Sequence, residues 1–321
     1  MAEDRIYKSE ERIYLLTKVC YLYYNEYLTQ SQIANQLGIT RQMVSRLLQR
    51  AKRDGIVNIQ INSPTIAIAD LEVKLQKAYN LKTAIVIKDT GIYPQNLKDK
   101  LGSLAAKYLQ EVLAPGLEIG LGWGTTLRAM AEYFSRINTA SMPGVETIQL
   151  MGGMNNVEYN VLAQDIVRLI ATSLEAKDRY LLAPCIVKDQ SARDMFIHEG
   201  IIKDVFERYE GLDYAFLGIG DIADDSIVAQ SGNIQIAEIN ELRQFGAVGE
   251  VCLRYFDSNG IFLSTPLSQR TISINIEQLK KVKNVVAVAG GVRKHAAILG
   301  ALKSGIIKIL VTDEGTARFL L

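Results

Sequence analysis

Cysteine, histidine and long apolar runs are scarce in this sequence. The three cysteines, Cys20, Cys185 and Cys252, lie far apart and in no CxxC pair. An odd, scattered set makes no disulfide framework and reads as reduced, mostly buried thiols. Two histidines, His198 and His295, with three lone cysteines fall short of a zinc ligand set. No metal and no cofactor is expected. No apolar run reaches the roughly 18 residues of a membrane span, so no membrane partner is expected. The opening MAEDRIYKSEER is charged and lacks an apolar core, so no secretion signal is expected and the location reads as cytoplasmic. A charge excess is missing too: 36 basic against 35 acidic residues give a net +1. Nothing global points to nucleic acid, and charge must be read locally. What remains is globular in composition, 48% hydrophobic and 22% charged over 321 residues. That suffices for one large domain with a smaller one, or for two medium ones.

The first sixty residues differ from the rest. Ser9 to Tyr27 follow a helical period, with Ile13, Leu16, Cys20 and Tyr24 or Tyr23 on one face. The tyrosines of YLYYNEY either pack a small helical core or stack on something outside it. Thr29 with Gln32 makes a capping box for a second helix, whose apolar face is Ile33, Ala34 and Leu37. Gly38 supplies the tight turn. Thr40 caps a third helix with Met43, Val44, Leu47 and Leu48 inward, and Gly55 ends it. IVNIQIN then alternates like a short strand, and a strand pair after Gly55 would form a wing.

Two helices joined by a glycine turn at this spacing predict a helix-turn-helix. The outer face of the third helix carries Arg41, Gln42, Ser45, Arg46 and Gln49, with Arg50, Lys52 and Arg53 behind. Between Arg41 and Arg53 there are five basic residues and no acidic one. Arginine suits guanine edges and phosphates, and glutamine suits adenine. The expected partner is double-stranded operator DNA, met by Thr40, Arg41, Gln42, Ser45, Arg46 and Arg50. The plain alternative is a helical hairpin with a solvated basic face.

Residues 1–61 therefore read as a DNA-binding head, 62–70 as a linker and 71–321 as the body. From Lys82 the body alternates strand-like runs (TAIVI, LEIGLG, ETIQLM, YAFLGIG, VVAVAG, IIKILVT) with helical stretches at 97–113, 125–134, 161–173 and 294–303. Such alternation predicts an α/β fold: a Rossmann-like, doubly wound, mostly parallel sheet covered on both faces. Ligands of such sheets sit at the carboxyl ends of the strands.

Four glycine turns fall at such ends. GLGWGTT leaves a strand and enters a helix, where free amides and the helix dipole favour an anion. Gly122 and Gly124 allow close backbone approach, and Thr125 and Thr126 add hydroxyls. Gly290-Gly291-Val292-Arg293-Lys294 places Lys294 in a first helical turn, where a cation is unfavourable unless an anion joins it. Gly218-Ile219-Gly220-Asp221 is the third turn. Gly152-Gly153-Met154-Asn155-Asn156 is the fourth, with amides suited to sugar hydroxyls. Each turn alternatively serves only close packing.

The chain resembles the SorC type of sugar-binding transcriptional regulators over nearly its whole length. The head block is LYYNEYLTQSQIANQLGITRQMVSRLLQRAKRDGIV. The body blocks are GLGWGTTL, QLMGG, FLGIG, GAVGEVCLRYFDSNG, VAGGVRKHAAILGALKSG and LVTDEGTA. The resemblance implies a winged helix-turn-helix plus a body similar to phosphosugar isomerases and deaminases. It also implies a sugar or sugar-phosphate effector and a homo-oligomer, usually a tetramer. It places the phosphate on Gly124, Thr125, Thr126 and Lys294, and the sugar near Glu250 and Asp257. The effector set is then Gly122, Gly124, Thr125, Thr126, Gly152, Gly153, Gly220, Glu250, Asp257 and Lys294. Asp313 and Glu314 match the last block, where a helix-capping role is an equal reading. Trp123 is bulky for a phosphate cradle, and either narrows it or belongs to the core.

The expected function is transcriptional regulation in which a carbohydrate or sugar-phosphate effector controls operator affinity, in a sugar catabolic operon. The alternative is a sugar-phosphate isomerase or deaminase with an attached head. That chemistry needs a placed acid and base, and the candidates Asp221, Glu250, Asp257 and His198 form no close dyad in sequence. No catalytic residue is assigned.

Overall fold

The structure, a computed structural model, describes residues 2–88, 94–154 and 163–321. The chain divides into two compact units, Met1–Ile66 and Ala67–Leu321.

The first unit holds α1 (Ala2–Tyr24), α2 (Gln30–Leu37) and α3 (Arg41–Arg53). Its core joins Leu16, Val19 and Cys20 of α1, Ile33 and Ala34 of α2, and Val44, Leu48 and Ala51 of α3. Two residues read as inward are not: Ile13 is exposed, and so is Met43 on the outer side of α3. Their places fall to Val19 and Ala51. The strand read at IVNIQIN does not form. Val57 packs on the core and its amide closes the end of α3 on Ala51 O at 3.1 Å. Ile59 and Ile61 stay exposed, with no pairing partner to bury an alternating face. The head is a helix-turn-helix without a paired wing.

The second unit starts in α4 (Ile66–Tyr79), which begins five residues before Leu71, where the body was expected to start. The Ile66 amide bonds Ser63 O at 3.2 Å and so starts the helix inside the segment read as linker. There follow β1 (Thr83–Ile87), α5 (Pro94–Val112), β2 (Glu118–Leu121), α6 (Thr125–Phe134), β3 (Glu146–Gln149), α7 (Ala163–Leu174) and β4 (Lys177–Arg179). After two helices come β5 (Tyr214–Leu217), β6 (Gly220–Asp221), β7 (Ala247–Val251), β8 (Arg254–Asp257), β9 (Asn284–Val288) and β10 (Ile309–Asp313). Seven strands form a sheet in the order β1-β10-β9-β5-β2-β3-β4, parallel throughout.

Strand alternation splits the core in two. Ala215, Leu217, Val285, Ala287 and Leu310 join one cluster, with Leu71 and Leu75 of α4 and Ile298 of the helix His295–Lys303. Phe216, Val286, Val288, Ile309 and Val311 face the other, built on Leu109 of α5, Met130 and Phe134 of α6, and Ile170 of α7. Both faces are covered, as an all-parallel sheet requires. The chain winds outward from β2 to β4, returns to β5 beside β2, and winds the other way. The switch point therefore lies between β2 and β5. A small antiparallel sheet, β6-β7-β8, stands beyond the end of β5. Its strands of two to five residues carry Asp221, Glu250, Arg254 and Asp257, a polar pattern that no apolar run announces.

Candidate functional site

In the head, the local chemistry expected of the turn is present. Thr29 and Gln32 form the capping box of α2. Gly38 takes φ +63, the left-handed conformation that lets the chain turn at once into α3. The Thr40 hydroxyl accepts the Met43 amide at 3.2 Å. With Val44, Leu48 and Ala51 inward, the opposite face of α3 presents Arg41, Gln42, Arg46 and Gln49 exposed and Ser45 half-buried. Arg50 differs: its Nε holds Asp54 at 2.9 Å, an exposed i,i+4 pair. That bond is the main cause holding the Asp54 carboxyl below its ordinary range.

In the body, β2, β5 and β9 lie side by side, and their carboxyl ends carry three of the four glycine turns. Gly122 is committed to the sheet, its amide on Phe216 O at 2.9 Å. Gly124 sits at φ +136 and starts α6 with no side-chain cap. A Cβ there would meet nothing within 4 Å, so open space lies in front of the uncapped helix end. Thr125 is half-open and Thr126 nearly buried. Trp123 packs between two hydrophobic clusters and serves the core.

The Gly290-Gly291 turn is held from behind. Asp313 accepts the Gly291 amide at 2.7 Å and also bonds the Thr316 amide and hydroxyl, at 2.9 and 2.6 Å. A Cβ on Gly290 would come within 2.2 Å of Asp313 Oδ2. Asp313 thus caps the helix Glu314–Leu320 and shapes the turn, and the Gly291 amide is not free for a ligand.

Past this turn Lys294 reaches back over the end of β5, its Nζ donating to Ile219 O at 2.6 Å. Its electrostatic neighbours are Asp221 and Glu250, which favour its charge, and Lys98 and Arg293, which oppose it. Burial outweighs the rest and pushes the ammonium pKa down. Burial likewise pushes the Glu250 carboxyl up, against a Leu253 amide bond of 2.7 Å and the Lys294 charge. Gly220 pairs with Glu250 in the small sheet, and a Cβ there would fall 2.1 Å from Glu250 Oε1. Glycine is what lets the carboxylate lie at this strand end. Glu250 also steadies a two-residue hairpin turn, Cys252-Leu253, whose φ of +49 and +60 are left-handed without any glycine.

Other expected site residues are placed elsewhere. The Gly152 amide bonds Ile272 O at 2.9 Å and the Gly153 amide bonds Ala183 O at 2.8 Å, so neither is available to a sugar hydroxyl. A Cβ on Gly152 would come within 2.6 Å of the Pro184 carbonyl, which makes this turn a close-packing device. Asn155 and Asn156 lie outside the described residues. Asp257 accepts the Asn259 and Ile261 amides at 2.9 and 2.8 Å and closes a surface turn. That turn rests on Ser304, past the far end of the helix His295–Lys303, about 15 Å along the axis from Lys294. Asp257 therefore leaves the cluster and Asp221 enters it, signalled only by GIGD after a strand. His198 is an exposed helix-end residue on Asp194 O. Among the described residues no group of three or more His, Cys, Asp or Glu is set to hold a metal.

Residues 63–321 match the family described as "Putative sugar-binding domain", and residues 22–76 match a Crp-like helix-turn-helix domain. The chain belongs to the SorC-type sugar-binding transcriptional regulators. This regulator is 31% identical over 311 residues to the deoxyribonucleoside regulator of Bacillus subtilis, covering 97% of this chain and 98% of that one. It is 29% identical over 315 residues to the sorbitol operon regulator of Klebsiella pneumoniae, covering 98% and 99%. The crystal structure of that full-length protein, SorC, superposes with a TM-score of 0.74 over 97% of this chain and 99% of its own. The regulator thus joins a helix-turn-helix to a sugar-binding body, and its relatives are named for transcriptional control. None of its helices, among the described residues, is long and apolar enough to cross a membrane.

Proposed function

We propose that the body binds a phosphorylated sugar across the ends of β2, β5 and β9, and that this binding sets the operator affinity of α3. The observation that carries the reading is the uncapped start of α6 at Gly124, facing open space, with the part-buried Lys294 reaching over the end of β5, the strand next to β2. Lys294 reaches back to Ile219 past β5, the strand next to β2, and neighbouring strands lie about 4.8 Å apart, so its charge is within reach of a ligand at the start of α6. The phosphate takes the amides at Gly124, Thr125 and Thr126 and draws on the charge of Lys294. The hydroxyl end meets Glu250 and Asp221 beside Gly220, while Gly122 only shapes the cradle. At the other unit, Arg41, Gln42, Ser45 and Arg46 address base edges, Thr40 and Arg50 the backbone, with Arg50 exchanging Asp54 for a phosphate. The protein works in the cytoplasm as a homo-tetramer, with residues 1–61 as the DNA head and 71–321 as the effector and assembly domain.

The site works as a sensor because effector binding differs between two states of unlike DNA affinity. An isomerase needs a general base free to take a proton, whereas Glu250 spends one oxygen on a hairpin amide and its charge on Lys294. The test is a thermal-shift screen of phosphorylated and free sugars, followed by product analysis. True effectors raise the unfolding temperature in line with RT ln(1 + [L]/Kd). Steady product formation at catalytic protein concentrations would overturn the sensor reading.

A further inference from the structure

Strand β8 carries a buried polar atom that the fold does not pair. Other tyrosine hydroxyls inside the body have carbonyl partners: Tyr209 donates to Gln149 O and Tyr79 to Leu320 O, each at 2.6 Å. The Tyr255 hydroxyl is buried and has none. Its residue is 2% exposed and packs in a cluster with Met151, Met154, Cys185 and Leu253. A phenylalanine would fill this space without bringing a polar atom into it. A buried hydroxyl without a partner costs free energy, and in a native protein it calls for a reason.

The register of the small sheet places this side chain. Gly220 of β6 pairs with Glu250 of β7, and Glu250 pairs with Tyr255 of β8. Residues directly opposite in antiparallel strands share a face, with Cβ atoms about 5 Å apart. Tyr255 therefore lies on the Glu250 face of the sheet. Glu250 and Cys185 are its electrostatic neighbours. Glu250 holds the Leu253 amide through Oε2, while Oε1 lies over Gly220. Glu250, Trp123 of the cradle and Ile222 are part-buried, and the last two pack against the Tyr255 cluster. This side of the cluster thus reaches the surface where the effector is proposed to bind.

We propose that the Tyr255 hydroxyl is a specificity element of the effector site, completed when a sugar hydroxyl bridges it to Glu250. The sugar hydroxyl donates to the Glu250 carboxyl and accepts from Tyr255. A carbonyl in its place accepts but has no proton to give, and a deoxy carbon does neither. The effector is then a sugar or polyol phosphate with a hydroxyl, not a keto or deoxy position, at the end away from its phosphate. The inference rests on the effector site proposed above.

The test uses the full-length protein and a set of probes: inorganic phosphate, the phosphates of ribose and glucose, and those of deoxyribose and deoxyglucose, which lack one hydroxyl away from the phosphate. Tyr255→Phe removes the hydroxyl and keeps the ring. Without a probe its urea midpoint should equal or exceed that of the wild type, because no partner is lost. The tighter-binding of the two hydroxylated sugar phosphates is expected to lose about three- to tenfold in affinity, the worth of one neutral hydrogen bond. Its deoxy counterpart should bind the wild type less tightly and show no further loss on Tyr255→Phe. Inorganic phosphate, which occupies the cradle alone, should show none either. A tyrosine that serves only packing gives no such split. A lowered urea midpoint would overturn the proposal by revealing a structural partner, as would unchanged affinity for the hydroxylated sugar or an equal loss for every probe. Lys294→Ala, run alongside, separates the two readings. If it weakens every probe and Tyr255→Phe weakens none, the hydroxyl contact alone falls; if neither variant alters any probe, the effector site falls with it.

Discussion

At the residue scale the two groups that matter most are both out of favour where they stand. Lys294 is part-buried, and Ile219 O with the charges of Asp221 and Glu250 offsets part of the cost of its desolvation. The proposed phosphate would complete the balance, and a charge-assisted bond is worth roughly 1.5–3 kcal/mol. Lys294→Ala should therefore weaken effector binding by about tenfold to a hundredfold, read by calorimetric titration. Operator affinity without effector should stay near the wild-type value, because α3 keeps its own basic face. A variant responding at the same effector concentration would remove Lys294 from the site. Glu250 makes a prediction about pH. Burial raises its pKa above the ordinary 4.5. Between that value and the raised one, the unfolded chain gives up its proton while the folded chain keeps it, so stability falls as pH climbs through this window. Glu250→Gln keeps an acceptor for the Leu253 amide and removes the titration. Its urea midpoint should exceed the wild type at pH 7, and the gap should close below pH 4.5. An equal gap at pH 4 and pH 7 would show that ionisation is not the cause.

At the element scale, α3 divides cleanly. Val44, Leu48 and Ala51 anchor it, and nothing on its outer face contributes to the head core. Arg46→Ala should leave the folded head intact and cost about 1–3 kcal/mol of operator binding, with sequence preference relaxed at one base position. Quantitative gel shifts on the selected operator and its single-base variants measure both effects; unchanged affinity would move recognition off this helix. The hairpin of β7 and β8 works differently. Its tip needs two left-handed residues, and Leu253 has its amide on Glu250, the residue beside Lys294. The hairpin turn and Lys294 thus share one carboxylate, and in the proposed function an effector meeting Glu250 would bias this turn.

At the scale of the whole molecule, charge and size set the requirement. The net charge is only +1, whereas α3 carries five basic residues between Arg41 and Arg53 and no acidic one. One helix-turn-helix reads a short half-site, too little for specificity in a genome, so two or more heads must act together. Sedimentation of the full chain at micromolar concentration should give a tetramer. A monomer that binds operator at full strength would refute that assembly.

Much of this protein follows from short-range rules that a sequence displays. Thr29 with Gln32, Thr40 with Met43, and Gly38 at positive φ act within a few residues, so the helix-turn-helix was legible before any packing was known. The six apolar runs became six strands of the seven-stranded sheet because strands buried on both faces must be apolar throughout. The expected wing does not form, since alternation in IVNIQIN becomes a strand only with a partner to pair with. Nor did four similar glycine turns announce their different roles. Tertiary structure decided that the Gly152, Gly153 and Gly291 amides are spent on Ile272, Ala183 and Asp313 while the start of α6 stays uncapped. It also drew Lys294 onto Ile219, 75 residues away, and turned Asp257 aside. A glycine turn looks the same in sequence whether its N–H is free or taken. What decides is which carbonyl or carboxylate the fold brings within 3 Å, and for these turns that group lies tens of residues away.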